Sequence, residues 1–208
     1  MNSSTSAHAR PFVGPSDKLP SEQGGNALFG FWVFLMSDAV IFALLFATYG
    51  VMLPATAGGP TPVGEYKILA TLLETLALLT SSFTYGMSSV AMKHGALRIE
   101  ILGWMTLTLS LGAVFLGMEL HDFAHMFADG AYPTRSGYLS SFFALVPLHG
   151  LHVMFGSLWI IVMMIQLMIF GLDTRVKLNV MRLGLFWHFL DIVWIAIFSV
   201  VYLQGLIR

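Results

Sequence analysis

Seven ionisable side chains stand in or beside stretches of this 208-residue chain that are otherwise apolar: Asp38, Glu74, Glu119, His149, His152, His188 and Asp191. Two of those stretches carry a pair each. "LVPLHGLHVMFGSLW" (145–159) holds His149 and His152, and "LFWHFLDIVWIAIF" (185–198) holds His188 and Asp191. Imidazoles and carboxyls in such a setting suit three kinds of chemistry. They can ligate zinc or iron, pass protons, or hydrogen-bond one helix to another. Both pairs have i,i+3 spacing, which puts their members on one face of a helix. The expectation is an intramembrane polar cluster in which His149, His152, His188 and Asp191 face inward and bond the last two helices together, with Asp191 accepting an imidazole N–H. The metal reading is the weaker one, because helical metal sites draw larger ligand sets from several helices. No catalytic, cofactor-binding or metal-binding residue is therefore assigned to this chain.

The remaining carboxyls read differently. A charged Asp at the centre of a membrane helix costs roughly 2.5–3.5 kcal/mol, so such groups are protonated or partnered. Asp38, in "FWVFLMSDAVIFALLFATY", falls near mid-depth, and Glu74, in "LATLLETLALLTSS", nearer the outer surface. Both are expected to be lipid-site or packing carboxylates. Glu119 belongs to "MELHDFAHMFADG" (118–130), expected to be an outer interfacial helix end with solvated charges; the i,i+4 pair His121 and His125 there is a weak metal signature and is discounted. An ion-coupled transporter using Asp38, Glu74 and Asp191, and a His-ligated membrane metalloenzyme, are the rival readings.

The elements that must position these groups are helices in a bilayer. The chain is 57% hydrophobic and 10% charged, with a mean hydropathy of +0.79, where soluble domains carry about 25% charged residues. A hydrocarbon layer about 30 Å thick needs about 20 apolar residues per crossing. Five runs suffice, about 28–53, 67–92, 99–126, 139–170 and 180–206, and they are too long and continuous for strands. The fold expected is an all-α integral membrane protein, a bundle of five transmembrane helices forming one domain over 28–208. A mobile polar tail, 1–27, precedes it. Gly, Pro and charge clusters at 54–65, 93–98, 128–137 and 171–179 mark the breaks. Arg10, Lys18, Lys93, Arg98, Arg175, Lys177 and Arg182 fall on one side, against Lys67, Arg135 and Arg208 on the other. That asymmetry predicts a cytoplasmic N-terminus and a periplasmic C-terminus. His152 then lies about 20 Å and Asp191 about 21 Å below the outer ends of their helices, at one level. Ser82 and Gly86 have the small-xxx-small spacing that lets helices approach. With no cysteine there is no disulfide or thiolate site, and a net charge of -1 gives no case for nucleic acid.

Together, "HGLHV" (149–153) and "WHFLDIVW" (187–194) resemble the paired signatures of subunit III of haem–copper terminal oxidases. The resemblance covers essentially the whole chain after the tail. "GFWVFLMSDAVIFALLFATY" (30–49) is similar to that family's first common helix, with Asp38 where a Glu is frequent. "SGYLSSFFALVPLHGLHVMFG" (136–156) is similar to the segment around the His pair. Five helices, "TAGGPT" (56–61) and "FLGMEL" (115–120) most resemble the cytochrome bo-type ubiquinol oxidase branch. Pro147 departs from the family pattern and raises the prospect of a kink near the His pair. The two extra N-terminal helices of mitochondrial forms are not in this sequence. The resemblance implies a non-redox accessory subunit that stabilises subunit I and holds phospholipid near the oxygen route, with Asp38 beside that lipid. Haems and copper would belong to the partner subunit I, and ubiquinol, or cytochrome c in an alternative assembly, would be used by the complex. The implied location is a bacterial inner membrane, in multi-pass form.

Overall fold

The computed structural model describes residues 19–58 and 68–203. Every regular element among them is helical. The helices are α1 (Leu19–Met52), α2 (Ile68–Lys93), α3 (Arg98–Ala128), α4 (Gly137–Phe170) and α5 (Thr174–Ile197), and α5 runs on into a π-helical turn, Phe198–Tyr202. Four segments are long and apolar enough to cross a bilayer: Gly25–Met52, Arg98–Ala128, Gly137–Phe170 and Thr174–Tyr202. The all-helical, multi-pass expectation is met at that level. α2 is not among these four, and it hides its polar side chains locally. The hydroxyls of Thr75, Thr80, Ser81 and Thr84 donate to carbonyls of their own helix (Thr71, Leu76, Leu78 and Ser81) at 2.6–2.8 Å, which removes their demand for outside partners.

Helix ends differ from the sequence expectation in two places. α1 begins at Leu19 rather than residue 28; the rest of the expected tail, 1–18, lies outside the described residues. α5 begins at Thr174 rather than residue 180. The charges of "TRVKLN" mark a break in sequence, yet Arg and Lys are good helix formers, and the helix carries them beyond its apolar part. α4 stops because Gly171 takes φ +70°, with its N–H on the Leu167 carbonyl at 3.1 Å. At its other end Ser136 caps α4, its hydroxyl accepting from the Leu139 N–H at 3.1 Å. The helix runs unbroken through Pro147.

α5 is the central helix. It packs against α1, α2 and α4, while α2 lies along α3 and α3 along α4. Just over half (56%) of its most apolar window is buried, against 17% for α1. Trp187 shows how tightly α5 is seated. A Cβ on Gly112 of α3 would lie 3.0 Å from its ring, and so would one on Gly156 of α4. The indole fills a slot that exists because both positions lack a side chain.

Candidate functional site

The polar residues of the bundle fall on several helix seams, and they do not form one cluster. The first seam joins α1 to α4. His152 Nδ1 lies 2.7 Å from the Leu148 carbonyl, and a carbonyl only accepts, so this nitrogen carries a proton. Its Nε2 sits 3.3 Å from Asp38 Oδ2. The contact is at ion-pair distance, and Asp38 Oδ2 makes no hydrogen bond.

The second seam joins α2 to α5, and it is rich in hydroxyl–ring bonds. Trp187 Nε1 donates to Ser81 Oγ at 3.1 Å and Trp194 Nε1 to Thr75 Oγ1 at 3.1 Å. His188 Nδ1 lies 2.6 Å from Ser82 Oγ, and Tyr85 donates its hydroxyl to the Val180 carbonyl at 2.7 Å. These partners descend α2 as they climb α5, the signature of an antiparallel pair in fixed register. Tyr85 also closes over Gly184, where a Cβ would meet the ring at 2.9 Å.

This arrangement corrects the expected network between the last two helices. His152 turns to Asp38 on α1 and His188 to Ser82 on α2. Asp191 is buried, but neither carboxyl oxygen holds a hydrogen bond; Ser82 is its neighbour, and the bond Ser82 makes is to His188. His149 is fully buried with neither ring nitrogen bonded, packed against Phe42, Phe115 and the face of Trp194. The reason is geometric. Residues at i,i+3 lie about 60° apart around a helix: both rings touch Phe42 of α1, but His149 turns on to Phe115 of α3 and Trp194 of α5, and His152 to Asp38 and Phe186.

Glu119 is corrected too: it is not a solvated interfacial group but buried, 4% exposed, as Glu74 is at 2%. Glu119 can turn inward because Gly150 of α4 faces it without a side chain. A Cβ there would lie 2.5 Å from its carboxylate oxygen. His121 and His125 stack edge to face at 5.1 Å, and among the described residues no group of three His, Asp or Glu could hold a metal ion. The ring–hydroxyl bonds of α2 escape sequence reasoning, although the Ser/Thr run on α2 beside two tryptophans on α5 was their signal. The arrangement is suited to locking helices together and to holding protons at separated carboxyls.

The cytochrome c oxidase subunit III family model matches residues 20–206. The chain is 48% identical to the cytochrome bo(3) ubiquinol oxidase subunit 3 of Pseudomonas aeruginosa, over 93% of this chain and 92% of that protein. It is 42% identical to the quinol oxidase subunit 3 of Bacillus spizizenii, over 89% and 91%. With the cytochrome c oxidase subunit 3 of Bacillus sp. strain PS3 the identity is 37% over the whole of both chains. Matches that run almost end to end make this chain a member of the cytochrome c oxidase subunit III family.

Proposed function

We propose that this chain is the accessory third subunit of a proton-pumping ubiquinol oxidase of the cytochrome bo type. It carries no redox centre of its own, braces subunit I, and holds phospholipid beside that subunit, where the haems and copper reside. The observation that carries this reading is the 48% identity over nearly the full length of both chains to a protein named for that role. The bundle is in keeping with it. Its polar side chains are spent on seams between helices, and α1 turns Val40 and Leu44, 60% and 64% exposed, toward lipid or a neighbouring subunit next to Asp38.

In this reading all five helices cross a bacterial inner membrane. Lys93, Arg98, Arg175, Lys177 and Arg182 cluster at the ends joined by the short turns after α2 and α4, and Arg135 stands at the other end. That charge asymmetry supports a cytoplasmic N-terminus.

Gentle solubilisation of the native membrane tests the assignment. The chain should co-purify in fixed ratio with a many-helix, haem-bearing partner, and the complex should oxidise ubiquinol and reduce oxygen. Recovery of the chain alone, with ion transport lost on neutralising Asp38, Glu74 and Asp191, would overturn it. A second reading, a cytochrome c oxidase subunit, is favoured by the 37% identity over both whole chains to the Bacillus protein of that name. The same preparation separates the two by which donor, reduced cytochrome c or ubiquinol, sustains oxygen uptake.

A further inference from the structure

Glu74 on α2 and Glu119 on α3 are buried, and each has an Oε1 atom with no hydrogen-bond partner. They stand on two helices that pack along one another. The titratable groups that act on them or share their surroundings are Asp122 of α3, Tyr138 of α4 and Tyr202 of the π-helical turn. None is a cation. Two buried carboxylates with no Lys or Arg beside them are costly to ionise together. At the same time the fold makes room for them. Gly150 leaves the Glu119 carboxyl a place in the α3–α4 seam. Glu74 lines a cavity of about 260 Å³ whose other walls are Ala70, Val114, Gly117 and Met118, with His121 and Asp122 as its further polar groups. One share of liquid water is about 30 Å³, so that space is large enough for several waters beside Glu74, His121 and Asp122.

We propose that Glu74 and Glu119 form a proton-binding site, in which a buried carboxyl pair shares one exchangeable proton and reaches the membrane surface through the hydrated cavity leading to His121 and Asp122. The ligand is the proton, delivered by water. The glycine cradle, the burial of both carboxyls and their orphaned oxygens carry the inference. The site is separate from the His152–Asp38 pair, which lies on the α1–α4 seam. It is equally separate from Asp191, whose neighbour is Ser82.

Infrared difference spectroscopy of the purified, membrane-derived complex tests it, with bulk pH and solvent deuteration as the perturbations. The expected result is a protonated-carboxyl stretching band that changes amplitude with pH and shifts in heavy water. It should be lost in E119Q or E74Q and kept in D191N. A band that answers to neither pH nor deuterium overturns the proposal. So does one that survives in both E74Q and E119Q, or one that disappears in D191N. Where one Gln variant fails to assemble, the other and D191N still decide the assignment. These readouts do not depend on which donor the complex oxidises, so their failure leaves the subunit assignment standing.

Discussion

His152 on α4 faces Asp38 on α1 across 3.3 Å, and its other ring nitrogen is already committed to the Leu148 carbonyl. The imidazole is thereby fixed in orientation by its own helix before it meets its partner. That preorganisation makes the pair a polar tie between α1 and α4. Asp38→Leu and His152→Leu should each lower the thermal stability of the purified complex, and the double variant should cost less than the two together. A double-mutant cycle should return a coupling of about 0.6–2 kcal/mol, the range of interhelical polar pairs in membranes. Strictly additive costs would show that the two groups act independently.

Trp187 sits between Gly112 and Gly156, each leaving no room for a methyl group beside the ring. Gly112→Ala and Gly156→Ala should destabilise the bundle by about 1–3 kcal/mol each through overpacking. Gly103, on the same helix as Gly112, has nothing within 4 Å of a built Cβ. Gly103→Ala should therefore stay within about 0.5 kcal/mol of the parent. Thermal unfolding in detergent, followed by helical circular dichroism, separates the two classes.

What sequence reveals here is what repeats along a helix. Long apolar runs fix the number of helices, and Gly171 and Asp173 mark a turn that the structure contains. What it hides is rotation. The spacing of His149 and His152 is visible, but which neighbour each one meets depends on how α4 is turned against α1, α3 and α5. That turn is set by positions such as Gly150 and Gly156, where the absence of a side chain lets another helix approach. The same blindness explains Glu119. Its neighbours His121, Asp122 and His125 give it the look of a wet helix end, and only the facing glycine on α4 shows that it points inward. The tryptophans divide likewise: Trp187 and Trp194 are 1% exposed and Trp32 47%, a distinction composition does not make.

Trp194 places a buried indole N–H on Thr75 Oγ1, and Thr75 donates in turn to the Thr71 carbonyl. Thr75→Val keeps the shape and removes the acceptor. It should cost about 1–3 kcal/mol, because the indole N–H is left buried and unbonded. Thr75→Ser keeps the hydroxyl and should retain most of the stability. Ultraviolet resonance Raman of the indole N–H environment offers a second readout, which should shift in the Val variant and not in the Ser variant.

Gly150→Ala tests whether the Glu119 carboxyl owes its inward position to the missing side chain opposite. The new methyl would meet Glu119 oxygens at 2.5 and 2.9 Å, and Gly150 belongs to a continuous helical backbone that cannot move aside alone. The carboxyl must leave its place, and α3 and α4 must part slightly if it cannot. Gly150→Ala alone should therefore destabilise the complex by about 1–3 kcal/mol, as overpacking does. Glu119→Ala removes the colliding atoms and leaves a space that the methyl introduced on α4 partly fills. The double variant should thus be more stable than Gly150→Ala by itself, a sign reversal that independent sites cannot produce. A double variant less stable than either single one would mean that Gly150 serves some other contact than Glu119.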